Sequence, residues 1–224
     1  MDAIITAAGK NSRMIKDFQN MGKTPIHKLK LEIDNKALLI HTIEHVLDSD
    51  IENVNICLGH FKDEIYDLLK EYDLLDKVNT ILNENPDVDL SKTIENALKG
   101  HEDECYLFAA ADQPTLTTKT INRMIKVLKN SPNPKNTVSV LRRRKIGKLD
   151  SAEGLGMPFC CYGRLLYDYI QGEDSNLNPI LRKMISNNVE FYALKEENNL
   201  ELLNINHYDD YLKIKKEIEK WFPL

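Results

Sequence analysis

Short apolar runs alternate with segments of helical period along almost the whole chain. The apolar runs are Ala3–Thr6, Val54–Leu58, Val78–Leu82, Cys105–Ala111, Thr137–Leu141, Met157–Tyr162, Val189–Leu194 and Leu200–Ile205, and Leu29–Ile33 alternates before the turn signal Asp34-Asn35. Each is of strand length, and each predicts a strand. Between them, helices are predicted over Ala37–Leu47, Thr117–Leu128, Arg164–Ile170, Asn178–Ile185 and Tyr208–Trp221, with shorter ones around Ile65–Leu69 and from Ser91 onward. Strands that alternate with helices build a mostly parallel sheet covered on both faces, an α/β fold. In such sheets ligands bind outside the carboxyl ends of the strands. The residues just after each apolar run are therefore the place to look for chemistry.

The chain has 224 residues and no Pro/Gly-rich tract or repeat to divide it, which predicts one domain over 1–224 with a charged, Gly-containing excursion at 142–156 that reads as a flap. A hydrophobic share of 42% is enough for a packed core and excludes wholesale disorder. With 30 basic and 35 acidic side chains the net charge is −5, which argues against a general nucleic-acid or anionic-membrane binder but leaves room for a local phosphate pocket. No apolar run reaches the 18 residues of a membrane span. The N-terminal segment has no basic stretch or cleavage site and reads as a core strand. Cys57, Cys105, Cys160 and Cys161 form no CxxC pair and read as reduced thiols of a cytoplasmic protein.

Three strand ends stand out. After Ala3–Thr6 come Ala7-Ala8-Gly9-Lys10-Asn11-Ser12-Arg13-Met14. Small residues and a glycine let backbone N–H groups approach phosphate oxygens, and Arg13 supplies a planar fork for them. A tight strand-to-helix connection with no ligand explains the loop as well, since it matches neither GxGxxG nor GxxxxGK[ST]. After Cys105–Ala111 comes Asp112, a candidate Mg²⁺ ligand or, with Pro114, a turn former. After Leu200–Ile205 comes a polar cluster in which Asn204 and Asn206 share one strand face, whereas Asp209 and Asp210 suit the first turn of a helix. Together these parts suggest metal-dependent phosphoryl or nucleotidyl chemistry, which needs positioning and cations more than covalent help. His41, His45, His60 and His101 carry no assigned role, and Trp221 is expected to pack the last helix.

Five segments, in order from residue 3 to residue 211, carry a family resemblance: Ala3–Met14 (AIITAAGKNSRM), Lys28–Leu39 (KLKLEIDNKALL), Asp89–Leu98 (DLSKTIENAL), Ala110–Thr117 (AADQPTLT) and Leu203–Tyr211 (LNINHYDDY). They resemble the MobA-like NTP transferase superfamily, closest to its molybdenum cofactor cytidylyltransferases. The resemblance implies a GT-A-like Rossmannoid three-layer sandwich and transfer of a nucleoside monophosphate, CMP from CTP, to molybdopterin with release of pyrophosphate. GTP with molybdopterin or cobinamide phosphate is the alternative chemistry, and a non-catalytic nucleotide-binding accessory protein is the alternative class. Carried over by position, Ala7, Ala8, Gly9, Ser12 and Arg13 would meet the triphosphate. Lys28, with Lys23 as rival, would neutralise it, and Ser91 and Thr93 would bond the base. Asp112 and Asn206 would hold Mg²⁺. The chain departs from the family where Met14-Ile15 replaces Met-Gly and where Asn204-Ile205-Asn206 replaces an Asp-x-Asp. His207-Tyr208 replaces Thr-Pro, and His207 reads as a turn residue. The basic cluster Arg142-Arg143-Arg144-Lys145 would meet the acceptor phosphate or be a solvated loop. The resemblance also implies transient contact with an enzyme that accepts the finished cofactor.

Overall fold

The computed structural model describes residues 1–143 and 146–221, without the side chains of 219–221. In chain order the elements are β1 (Asp2–Ala7), α1 (Ser12–Asn20), the hairpin strands β2 (Glu32–Ile33) and β3 (Lys36–Ala37), α2 (Leu38–Leu47), β4 (Val54–Leu58), α3 (Lys62–Glu71), β5 (Asn79–Leu82) and α4 (Leu90–Leu98). They continue with β6 (Cys105–Ala110), α5 (Thr118–Lys129), β7 (Thr137–Leu141), β8 (Gly147–Leu149), β9 (Phe159–Tyr162), α6 (Gly163–Ile170), α7 (Leu177–Ser186), β10 (Glu190–Leu194) and α8 (Tyr208–Trp221). Eight strands form one sheet in the order β5-β4-β1-β6-β9-β7-β10-β8. The strands β5, β4, β1 and β6 are mutually parallel, β9 and β8 run antiparallel to their neighbours, and β7 and β10 are parallel to each other.

Period-two alternation decides which face each strand residue serves. Ala3, Ile5 and Ala7 of β1, Ile56 of β4 and Leu107 and Ala109 of β6 pack under α2, α3 and α5. Ile4, Cys57, Tyr106 and Phe108 point the other way and pack with Phe159 and Phe191 under α4, α6 and α7. The result is the expected three-layer α/β sandwich. Among the described residues no helix is long and apolar enough to cross a membrane. A third, smaller cluster holds α1 and α8 to the β2–β3 hairpin through Met14, Phe18, Ile33, Tyr211 and Ile214.

Three expectations differ from the structure. Leu29–Ile33 is not one strand: Lys28–Lys30 is a turn of 3₁₀ helix, and only Glu32–Ile33 pairs, with Lys36–Ala37. Leu200–Ile205 is not a strand either. Buried Glu201 spends its carboxylate on the backbone N–H and hydroxyl of Thr117 and on the N–H of Glu197. Thr115 donates to Leu200 O, and Ile205 N donates to Asp112 O. Apolar side chains are thereby anchored in a loop, because the backbone finds partners outside any ladder. The excursion at 142–156 is partly sheet, since β8 pairs with β10 at the edge. Arg144, Lys145 and the packing of Trp221 lie outside the described residues.

Candidate active site

The strand order reverses at β1, with β4 on one side and β6 on the other. Connections leave the carboxyl ends of such neighbours in opposite directions and open a crevice there. A cavity of about 440 Å³ fills it, lined by Ala7, Ala8, Gly9, Ser12 and Arg13 after β1, Asp112 after β6, and Lys28, Thr93, Asn204 and Asn206. Thus nine of the ten residues singled out for the triphosphate, base and metal, all but Ser91, meet in one crevice, joined by Asn204.

The glycine loop is shaped from two sides. Asn11 caps α1 with φ 55°, a left-handed conformation that asparagine tolerates, and Ile15 N donates to its carbonyl. Below the loop lies Gly59, just after β4, where an added Cβ would sit 2.6 Å from Ala8 O. Sequence reasoning passed over Gly59, whose only signal is its place next to a strand end. A Cβ on Gly9, by contrast, would meet nothing within 4 Å and would project into open space. Gly59→Ala is therefore expected to displace the loop and cost about 1–3 kcal/mol in a denaturant titration, as overpacking does. Gly9→Ala is expected to leave that stability unchanged while weakening triphosphate uptake.

Asp112 is nine-tenths buried, and its Oδ2 accepts from Lys28 Nζ at 2.5 Å. Lys23 is elsewhere, with its Nζ 5.2 Å from the centre of the Tyr208 ring. Of these two rivals, Lys28 lines the crevice and Lys23 does not; Lys10 also lines it, paired with Asp87 at 2.8 Å. Asp112 Oδ1 is buried and has no hydrogen-bond partner among the described residues. An unsatisfied buried carboxylate oxygen is costly, and a cation in the crevice would satisfy it. The donor set fits Mg²⁺, which takes one or two protein ligands beside substrate phosphates and water. Among the described residues no three His, Cys, Asp or Glu side chains converge on a metal, so substrate oxygens would have to complete the shell.

Residues 204–206 reach Asp112 as a loop rather than a strand. Gln113 Nε2 donates to Asn204 Oδ1 at 2.9 Å and to Met157 O at 3.2 Å. The backbone N–H groups of Asn206 and His207 both donate to Asp210 Oδ2, and Asn206 lines the crevice. His207 serves the turn: its Nδ1 lies 3.0 Å from Asp17 Oδ2, which also accepts from Tyr208 N. Those bonds hold Asp17 below the usual carboxylate range, the Tyr208 N–H being the largest cause.

The two base candidates part company. Thr93 lines the crevice, and its Oγ1 accepts from Asn83 Nδ2 at 2.9 Å. Ser91 does not reach it. Its side chain is fully buried, donating to Glu173 O and accepting from Ser175 N, so it ties α4 to the segment before α7. Helical rotation explains the split: two residues apart on α4 are about 200° apart around the axis.

His27 is a crevice residue that sequence reasoning overlooked. It is buried, packs its ring against Phe61 at 4.3 Å, and has an Nδ1 without a partner among the described residues. Burial, with Lys28 and Lys30 adding to it, lowers its pKa from 6.5 to about 4. A histidine kept neutral in the fold stabilises it fully above the unfolded pKa and loses that contribution as pH falls from 6.5 toward 4. That gap corresponds to about 3 kcal/mol. Urea titrations of His27→Phe should show a flatter loss of stability between pH 7 and 4 than the parent protein shows.

The profile of the MobA-like NTP transferase domain matches residues 3–188. A nucleotidyl transferase from Methanothermobacter thermautotrophicus is 32% identical, with 98% of each chain covered and a TM-score of 0.88. The Rv0371c protein of Mycobacterium tuberculosis, solved in complex with manganese, is 15% identical over 96% of this chain and 97% of its own, with a TM-score of 0.68. CMP:2-keto-3-deoxy-manno-octonic acid synthetase complexed with CTP is 12% identical over 99% of each chain, with a TM-score of 0.70. The last two resemble this chain in fold. The profile spans most of the chain, and the chain belongs to the MobA-like NTP transferase family and is a nucleotidyltransferase.

Proposed function

We propose that this nucleotidyltransferase moves CMP from CTP to a phosphorylated acceptor, with molybdopterin the acceptor that the motif resemblance favours, and that it works with Mg²⁺. The observation that carries the reading is the Lys28–Asp112 pair facing the glycine loop across one crevice, with Asp112 Oδ1 left free. The triphosphate would lie on the backbone of Ala7, Ala8 and Gly9, with Ser12 and Arg13 at its edge. Lys28 would turn from Asp112 to the phosphates, and Thr93 would face the base. Thr93 Oγ1 already accepts from Asn83, so its own O–H is free to donate to a base oxygen or ring nitrogen. Asp112 and Asn206 would hold Mg²⁺, which supplies charge neutralisation on the phosphates.

An acceptor phosphate oxygen would attack the α-phosphorus. The new P–O bond forms as the bond to the β-phosphate breaks, and the electron pair leaves with pyrophosphate. A phosphate dianion needs no general base. That suits a crevice whose histidine titrates near 4 and whose buried carboxylate is held by a lysine. CTP as donor is also supported by the structural neighbour that carries CTP.

Calorimetry with CTP and GTP, with and without Mg²⁺, followed by a pyrophosphate-release assay with molybdopterin, tests the reading. Mg²⁺-dependent uptake of CTP and release only with molybdopterin are expected. Uptake and release with GTP alone would make it a guanylyltransferase, and no Mg²⁺-dependent uptake of either triphosphate would overturn the proposal.

A further inference from the structure

A second cavity, of about 960 Å³, adjoins the nucleotide crevice and shares Leu90, Met157, Asn176 and Asn204 with it. We propose that it is the acceptor subsite and that it takes a phosphate monoester whose body lays an apolar face on an aliphatic wall, the phosphate gripped by Arg142 and Arg143. The proposal rests on the nucleotidyl-transfer reading and adds the chemical class of the acceptor.

The topology puts the arginines where they are needed. Strand β7 runs parallel to β10, and both point the same way as β6, because β9 lies between β6 and β7 and is antiparallel to each. Arg142 and Arg143, directly after β7, therefore emerge at the same end of the sheet as Asp112. Neither guanidinium pairs with a carboxylate among the described residues. Arg142 Nη2 donates to Glu153 O at 3.5 Å and Arg143 Nη2 to Asn199 O at 3.4 Å, both at the long limit of a hydrogen bond. Two forks held this loosely, in a protein of net charge −5, retain nearly all their donors for an anion. Among the described residues the Glu153 side chain is the one carboxylate lining the cavity, so two guanidiniums leave an excess of positive charge there.

The remaining wall is mostly aliphatic. Leu155 and Leu177 are buried beneath it, and the half-exposed Leu202 and Leu203 close its other side. The wall is built rather than incidental: Asn178 Nδ2 donates to Ala152 O at 2.9 Å and Leu155 O at 2.8 Å, pinning the 152–155 segment to the start of α7. Polar groups are fewer there: Asn176, Asn178 and Asn204 line the cavity, and Asn178 spends its Nδ2 on the 152–155 segment. An acceptor with an apolar face gains from burying it against the leucines. Asn204, held by Gln113, stands between the two cavities, where the acceptor's phosphate would meet the nucleotide.

The test is calorimetry with hexyl phosphate, hexanol and inorganic phosphate. Each is titrated into the free protein and into protein loaded with Mg²⁺ and a non-hydrolysable CTP analogue. Hexyl phosphate is expected to bind at least about tenfold more tightly than inorganic phosphate or hexanol, because it uses both halves of the cavity. The double substitution Arg142→Ala with Arg143→Ala is expected to remove most of that binding while leaving affinity for the CTP analogue unchanged. Equal affinity for hexyl phosphate and inorganic phosphate, or hexyl phosphate binding indifferent to the double substitution, would overturn the proposal. Failure of the nucleotide reading alone appears separately, as absent uptake of the analogue, and the titrations of free protein still decide the acceptor class.

Discussion

Asp112→Asn is expected to lower turnover by about 10³-fold or more, with the fold retained. Asparagine keeps the shape of the side chain but removes the charge, and the oxygen replacing Oδ1 is a far weaker cation ligand. The carboxylate is buried at the end of β6, bonded on one oxygen to Lys28 and unpartnered on the other. Lys28 is only partly buried and can swing toward water, so the cost in stability should stay within about 2 kcal/mol. Pyrophosphate release under saturating nucleotide and acceptor measures the first effect, and a urea titration the second. Turnover within a few-fold of the parent protein would remove Asp112 from the chemistry.

Lys28→Met separates two roles with opposite signs. In the free protein the ammonium occupies Asp112 Oδ2, the group proposed to hold the divalent cation. Lysine and metal then compete for one carboxylate, and removing the lysine should tighten Mn²⁺ or Mg²⁺ binding to the free protein, by about tenfold for each 1.4 kcal/mol of competition lost. Turnover should nevertheless fall by about 10²- to 10³-fold, because a charge aimed at the phosphates is gone. Calorimetry with metal alone and pyrophosphate release with full substrates give the two readings. If metal affinity and turnover fall together, Lys28 supports the site structurally rather than by charge on the phosphates.

Strands with unambiguous patterning were legible directly. Val54–Leu58 and Thr137–Leu141 have the predicted bounds, because a run of apolar β-formers flanked by turn residues has only one way to be buried between two helical layers. Leu200–Ile205 shows the limit. Its alternation is that of a strand, but buried Glu201 ties it to Thr117 while Thr115 and the carbonyl of Asp112 take its backbone groups, and no local pattern announces partners 84 to 93 residues away. The same loop still brings Asn204 and Asn206 to Asp112, so the sequence argument reached the right neighbours through the wrong element. Ser91 was lost to a rotation about one helix axis, a quantity that motif spacing alone does not control.

Read alone, the sequence determined the three layers, the strand ends where chemistry could sit and the residue types available there, because burial period and side-chain chemistry are local properties of the chain. Tertiary structure decided which of those residues share one space. It chose Lys28 over Lys23, fitted Gly59 beneath the glycine loop, and set Arg142 and Arg143 in the lining of a second cavity. Such choices depend on strand order and on contacts between residues far apart in the chain. Both are settled only when the whole core packs.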